Sequence, residues 1–104
     1  LFLSSVAFHP VLGLSDSNLM EVEVKKRLVE AAREVIALVD STKWGEVAFT
    51  QTVPIDLLDK VVTDPGAPPE MVESLRERGV VVIISGAGDE AANGTSQSSP
   101  GREV

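Results

Sequence analysis

An apolar run that ends abruptly on a carboxylate limits the possible fold of this chain most strongly. Residues 35–39 are Val-Ile-Ala-Leu-Val, and the turn-forming residues Asp40, Ser41 and Thr42 follow, with Lys43 after them. A short apolar run rich in β-branched residues predicts a strand buried on both faces of a parallel sheet. Because ligands of open α/β sheets bind beyond the carboxyl ends of the strands, Asp40 and Lys43 are candidate ligand-binding residues. The alternative is that both are ordinary solvated turn residues.

A capping pattern at Asn18 predicts an amphipathic helix over residues 19–33. An Asn side chain can accept hydrogen bonds at a helix start, and Glu21 stands three residues later, as in a capping box. At 100° per residue, Glu21 and Lys25 lie on the same side of the helix as its apolar stripe. A helix antiparallel to the following strand begins near that strand's carboxyl end, so we expect both residues to approach the turn after residue 39. The alternative is a surface ion pair worth about 0.3–0.5 kcal/mol.

The rest of the chain alternates apolar segments with turn residues. This pattern predicts a strand at 1–8, a loop at 9–17, a strand at 60–63, a helix that begins at Pro68 and stops at Gly79, and a strand at 80–84. In the loop, Gly13 can adopt a positive φ, either to approach a ligand closely or merely to turn the chain. Asp64 begins an Asp-Pro-Gly turn, and we assign it a structural role only. Residues 85–104 lack apolar periodicity and aromatic side chains, which predicts a disordered tail after a folded domain of residues 1–84.

Composition argues against several function classes. The net charge is −7, with nine basic residues among sixteen acidic ones, which argues against nucleic-acid binding by this segment. The absence of cysteine excludes disulfides and thiolate metal sites, and the single histidine, His9, is expected to be an exposed loop imidazole. We predict no metal site and no cofactor. The apolar runs are far shorter than the roughly twenty residues that span a bilayer, so we expect a cytoplasmic protein without a membrane segment.

Four motifs together resemble the effector-binding domain of DeoR-type transcriptional regulators. They are Gly13-Leu14-Ser15, Glu21-x-x-x-Lys25, the run from residue 35 that continues as Asp40-Ser41-Thr42-Lys43-Trp44-Gly45, and Val61-Val62-Thr63-Asp64. The family's usual turn is Asp-Ser-Ser-Lys-Phe-Gly, so Thr42 and Trp44 are mild departures from it. The resemblance covers residues 1–84. It implies a ligand-binding role for Gly13, Glu21, Lys25, Asp40 and Lys43.

The resemblance implies an α/β fold in which a parallel sheet has helices on both faces. Ribose-5-phosphate isomerases, glucosamine-phosphate deaminases and CoA transferases share this fold, whose first half would be missing here. It also implies a sensor that binds a phosphorylated sugar or related metabolite as its effector. DNA is then expected as a partner only through a helix-turn-helix domain absent from this chain. A half-domain leaves sheet edges and apolar faces open, so we expect a homo-oligomer or contacts with the missing residues.

One position separates a sensor from an enzyme within this resemblance. Isomerases of the superfamily have a catalytic glutamate near the start of the helix, and a count back of fifteen residues from Asp40 reaches Lys25 instead. An ordinary lysine, with a pKa near 10.4, is not a free base at neutral pH. We therefore expect a non-catalytic sensor. The count assumes no gap, so Glu21, one helical turn earlier, keeps a sugar-phosphate isomerase or deaminase as the alternative.

Overall fold

Seven strands and two helices form residues 1–86 in the computed structural model, which describes this part of the 104-residue chain. The strands are β1 (Phe2–Leu3), β2 (Ala7–His9), β3 (Gly13–Asp16), β4 (Ile36–Val39), β5 (Thr50–Val53), β6 (Lys60–Thr63) and β7 (Val81–Ile84). The helices are α1 (Leu19–Ala31) and α2 (Pro69–Glu77), and short 3₁₀ turns cover Ser41–Lys43 and Ile55–Leu57. The tail predicted to be disordered falls almost entirely on residues 87–104, which lie outside the described residues.

Four strands pair in parallel in the order β1-β4-β6-β7, which confirms the predicted parallel core. Ala37, Val61 and Val82 lie side by side in register on adjacent strands, and all three are buried. Helix α2 packs against β7, and its Val72 and Leu75 belong to the same hydrophobic core. The apolar run at 35–39 thus supplies a central strand of the sheet.

The opposite face of this sheet is open within residues 1–86. Leu38 points to that face and is 41% exposed, and its neighbours Phe2, Val81 and Ile83 are exposed with it. The four parallel strands and the two helices confirm the α/β class with a parallel sheet and helices. The expected burial of the strand at 35–39 on both faces is wrong for the described residues, because α1 packs on β3 and β5 and leaves this face uncovered.

A second, antiparallel sheet in the order β2-β3-β5 replaces the strand predicted over 1–8 and the loop predicted over 9–17. The chain leaves the parallel sheet after β1, and β2 and β3 form a hairpin in which Ala7 lies opposite Ser15. The prediction was wrong because strands of two to four residues are too short to show a clear alternation. The buried polar residues of this sheet are Ser15, Asp16 and Thr52.

The helix boundaries follow the predicted capping signals. Asn18 Oδ1 accepts hydrogen bonds from two backbone N–H groups in the first turn of α1, at 2.9 and 3.1 Å. Helix α2 has Pro69 in its first turn, where a missing N–H costs nothing. Gly79 follows α2 at a φ of +92°, the left-handed conformation that glycine adopts without strain.

Candidate functional site

An open pocket of about 410 Å³ lies at the carboxyl ends of β4 and β6. Its polar lining consists of Ser4, Asp40, Lys43, Thr63, Asp64 and Ser85, and its apolar lining of Leu38, Val39 and Val62. Ligands of parallel α/β sheets bind at this edge, since the loops that follow adjacent strands surround the same crevice. Asp40 and Lys43 thus lie at the edge where the sequence predicted them.

Residues 40–44 form the site turn, which Asp40 closes with its own side chain. Asp40 Oδ1 accepts hydrogen bonds from the backbone N–H of Thr42, at 3.0 Å, and from the Thr42 hydroxyl. These two bonds hold the pKa of Asp40 below its ordinary value of 3.8, so this carboxylate is ionised at neutral pH. Lys43 Nζ lies 3.7 Å from Asp40 Oδ2 and places an ammonium beside the carboxylate.

The charges of Asp40 and Lys43 are both accessible to a ligand. Their side chains are 54% and 32% exposed, respectively. The carboxylate can accept hydrogen bonds from hydroxyl groups, and the ammonium can donate to a phosphate or carboxylate. An exposed ion pair of this kind contributes little to stability, so a ligand can replace one partner of the pair at low cost.

Strand β6 and the residue after it anchor the site turn at both ends. The side chain of Asp64 accepts a hydrogen bond from the backbone N–H of Ser41 at 2.8 Å, and its other oxygen accepts one from Gly66, also at 2.8 Å. At the far end of the turn, Nε1 of the buried Trp44 donates to Thr63 Oγ1 at 3.0 Å. Trp44 is therefore a core anchor.

Asp64 lines this pocket, although the sequence interpretation left it out of the site. The N–H groups of Ser41 and Gly66 lower its pKa, so it adds a second ionised carboxylate to the pocket. The sequence did contain a signal, since a carboxylate directly follows both β4 and β6. The adjacency of those two strand ends is a property of the sheet order and could not be inferred from either segment alone.

Lys25 lies in a different environment, where it neutralises the buried carboxylate of Asp16. Its Nζ is 3.3 Å from each oxygen of Asp16 and also donates to the backbone carbonyl of Ser4, at 2.5 Å. Asp16 is 1% exposed and Lys25 16% exposed, so this pair is largely shielded from water. The ammonium of Lys25 is thus engaged on several sides before any ligand is considered.

Asp16 is surrounded by donors from several elements. In addition to Lys25, it accepts hydrogen bonds from Thr52 Oγ1, at 2.6 Å, and from the backbone N–H of Val6, at 3.2 Å. Burial raises the pKa of Asp16, but hydrogen bonds from Thr52, Ser5 and Val6, together with the charge of Lys25, outweigh that effect and leave the pKa below its ordinary value. Asp16 lies on β3, in the segment predicted to be a loop, and it was therefore not among the candidate site residues.

Glu21 accompanies Lys25 rather than the site turn. Glu21 Oε1 lies 3.7 Å from Lys25 Nζ, and both residues line an apolar groove of about 320 Å³ along α1. Asp40 and Lys43 line the other pocket. These four residues were expected to form a single cluster. Within residues 1–86 they form two groups, Glu21 with Lys25 and Asp40 with Lys43. Ser4 links them, because it lines the first pocket while its carbonyl binds Lys25.

Gly13 is required by close packing between strands. It has a φ of +87°, and a Cβ atom at this position would lie 2.1 Å from the carbonyl oxygen of Val53. No side chain fits in that space. Gly13 thus contacts the backbone of β5. This contact explains why the position requires glycine, and no ligand is needed to explain it.

His9 lies at the end of β2 and is half-buried rather than exposed. Its Nδ1 accepts a hydrogen bond from the backbone N–H of Val11 at 3.1 Å, which closes the β2–β3 hairpin. Within residues 1–86, no three His, Asp or Glu side chains are grouped in a way that could hold a metal ion. No helix in that range is long and apolar enough to cross a membrane.

A parallel α/β sheet with a polar pocket at its carboxyl edge defines a class of small-molecule-binding domains. Residues 1–65 match the family model described as the DeoR C terminal sensor domain. The chain therefore belongs to the DeoR family of transcriptional regulators, and the family resemblance of its motifs is confirmed.

Curated relatives agree with this assignment and extend the similarity beyond residue 65. The uncharacterized HTH-type transcriptional regulator YulB of Bacillus subtilis is 35% identical over 81 residues, which cover 78% of this chain and 31% of YulB. The putative aga operon transcriptional repressor of Escherichia coli O157:H7 is 31% identical over 83% of this chain and 32% of its own length. The HTH-type transcriptional regulator IolR of Bacillus subtilis is 33% identical over 84 residues, which cover 81% of this chain and 34% of IolR. The chain spans about a third of the length of these relatives.

Proposed function

We propose that this chain binds a phosphorylated sugar or related metabolite, and that binding alters the DNA affinity of a helix-turn-helix in the full-length protein. The supporting observation is the pocket in which Asp40 and Lys43 are exposed side by side at the carboxyl edge of the sheet. An ammonium suits a phosphate group, and a carboxylate suits the hydroxyl groups of a sugar. The effector needs only to bind one conformation of the protein more tightly than another to change DNA affinity.

Among the five predicted ligand-binding residues, we assign direct effector contacts to Asp40 and Lys43. Lys25 and Glu21 belong to the group around Asp16, and Gly13 packs against β5. We propose that these three residues support the fold next to the site. This assignment is supported by the two separate pockets and by the contacts that already engage the ammonium of Lys25.

We propose a sensor without catalytic activity. An enzyme of this superfamily needs a free base at the sugar carbonyl, and the ungapped count places Lys25 there. Lys25 donates hydrogen bonds to Asp16 and Ser4 and has no lone pair available while it is protonated. The alternative base, Glu21, lines a groove different from the pocket of Asp40. This separation disfavours the isomerase or deaminase alternative.

The open apolar surface of residues 1–86 favours association with other copies of the protein or with further parts of the same chain. Leu38, Val81 and Ile83 are exposed on one sheet face, and β1 is an edge strand. Uncovered sheet faces and edges favour association. We propose that the full-length protein is a homo-oligomer that acts on DNA in the cytoplasm.

A thermal-shift screen of the full-length protein tests the proposed function. The compounds are ribose 5-phosphate, glucose 6-phosphate and glucosamine 6-phosphate, each compared with its unphosphorylated sugar. A ligand at about 100 times its Kd stabilises the folded state by about 2.7 kcal/mol, which is a measurable rise in Tm. We expect a shift with a phosphorylated sugar only, and a change in operator affinity with the same compound. Shifts with neutral sugars alone, or an active compound without effect on DNA binding, would contradict the proposal.

A further inference from the structure

Two aspartates flank β6, and each binds a backbone N–H at one end of β4. Asp59 Oδ2 accepts a hydrogen bond from Val35 at 2.8 Å, at the amino ends of the strands. Asp64 Oδ2 accepts one from Ser41, also at 2.8 Å, at the carboxyl ends. The two contacts have the same chemistry, but only Asp64 borders the pocket.

The carboxylate of Asp64 has a fixed orientation. Its second oxygen accepts a hydrogen bond from the backbone N–H of Gly66 at 2.8 Å, so Asp64 is held by its own turn while it binds Ser41. Both oxygens therefore have backbone donors, which is the arrangement of a side chain that organises two loops.

The turn after β6 also packs closely against the site turn, which is a second observation beside the hydrogen bond between Asp64 and Ser41. A Cβ atom at Gly66 would lie 2.9 Å from Ser41 Oγ and 3.1 Å from Ser41 Cβ. The turn after β6 is thus in direct contact with the site turn, and a side chain at Gly66 would fit only if Ser41 shifted.

Ser41 stands between the two residues assigned to the effector, one residue after Asp40 and two before Lys43. A displacement of its backbone would move both side chains, and small errors in position are costly in a binding site. We propose that Asp64 is a positioning residue that holds the site turn, and with it Asp40 and Lys43, in the conformation that binds the effector. This inference rests on the proposed function of the pocket.

The test combines Asp64→Ala and Asp64→Asn with Asp59→Ala as a matched control in the full-length protein. Hydrogen exchange of the segment 40–44 reports on the turn without any ligand, because amides exchange when they open locally. Affinity is measured by calorimetry with whichever of ribose 5-phosphate, glucose 6-phosphate and glucosamine 6-phosphate raises Tm most. The melting temperature of each variant reports any general loss of stability.

We expect Asp64→Ala to speed exchange of the segment 40–44 and to weaken binding, each by about tenfold, because a charge-assisted hydrogen bond is lost. Asp64→Asn retains one acceptor oxygen and should have a smaller effect on both. Asp59→Ala should lower Tm but leave exchange of the segment and affinity unchanged. If Asp64→Ala does not fold, Gly66→Ala should reproduce both effects by displacing Ser41.

Two results would overturn the inference. Weaker binding with unchanged exchange would mean that Asp64 contacts the effector directly, and faster exchange with unchanged affinity would mean that the turn does not need to be held. If none of the three compounds shifts the melting of the wild-type protein, the proposed function fails. The exchange measurement then still decides whether Asp64 holds the turn.

Discussion

Lys25 Nζ lies 3.3 Å from both carboxylate oxygens of Asp16, and this pair joins helix α1 to strand β3. The carboxylate also accepts a hydrogen bond from Thr52 on β5, and the ammonium donates to the carbonyl of Ser4 after β1. One ion pair therefore connects helix α1 and the antiparallel sheet to the segment that follows β1. Its polar atoms have partners on several sides, which is the condition under which a largely buried ion pair is tolerated.

We expect Lys25→Met to destabilise the protein by about 3 kcal/mol or more, because the buried carboxylate of Asp16 loses its counter-charge. Lys26→Met, at an exposed position of the same helix, is the control and should change stability by less than about 0.5 kcal/mol. Urea denaturation measures the free energy of unfolding of each variant. Equal stabilities for the two variants would show that the Asp16–Lys25 pair contributes nothing to the fold.

We expect Lys43→Ala to weaken effector binding by about 1 to 3 kcal/mol, the range for loss of a charge-assisted hydrogen bond. Lys60→Ala is a matched control, because Lys60 is also ion-paired, with Glu34 at 3.1 Å, and its side chain is 37% exposed. It lies at the other end of β6, away from the pocket. Calorimetry with the active sugar phosphate should show a loss for Lys43→Ala only, and equal affinities of both variants would exclude Lys43 as a contact.

The stability of the fold should decrease in acid. Asp16, Asp40 and Asp64 each have a pKa below the ordinary value of 3.8, so the folded state binds fewer protons than the unfolded chain near that pH. Their stabilisation is complete above the unfolded-state pKa of about 4 and is lost as the pH falls through each folded-state pKa. Denaturation at a series of pH values should show this decrease, and Asp16→Asn should reduce it. A flat profile below about pH 4 would contradict the assignment.

We expect no turnover of sugar phosphates by the full-length protein. Incubation with ribose 5-phosphate, glucose 6-phosphate or glucosamine 6-phosphate, followed by NMR, should show no isomerisation or deamination. The reason is that Lys25, at the inferred base position, donates to Asp16 and Ser4, and that Glu21 lines a groove different from the pocket of Asp40. If turnover is seen, Glu21→Gln should be compared with Glu23→Gln, an exposed position on the same helix. Activity that Glu21→Gln alone abolishes would establish the enzyme alternative.

Gly13→Ala should be more destabilising than Gly79→Ala, although both glycines have a positive φ. At Gly79 no atom lies within 4 Å of an added Cβ, so the cost is the backbone strain of about 1 to 2 kcal/mol. At Gly13 the Cβ would collide with the carbonyl of Val53, and β3 must move away from β5. Thermal denaturation measures the difference, and similar Tm values would contradict the packing role of Gly13.

The elements that local sequence patterns define were predicted with nearly correct bounds. Asn18 marks the start of α1, Pro69 and Gly79 bracket α2, and the apolar runs correspond to β4, β6 and β7. Capping, turn chemistry and periodicity act over a few residues, so they are present in the sequence itself. The position of Asp40 at a strand end follows from the same local information, and the family motifs were recognisable for that reason.

Long-range pairing decided the remaining features. The division of residues 1–8 between two sheets depends on partners in β4 and β3. Two further contacts join different elements. Lys25 on α1 contacts the buried Asp16 on β3, and Asp64 after β6 contacts Ser41 after β4. A carboxylate in a loop, in a turn or in a buried ion pair has the same local sequence signals, because its environment is set by neighbours that only the folded chain brings together. The sequence by itself therefore determined both helices, the strands β4, β6 and β7, and one edge of the pocket. The tertiary structure decided the second sheet and which charges meet at the pocket, because both depend on pairing between separate segments.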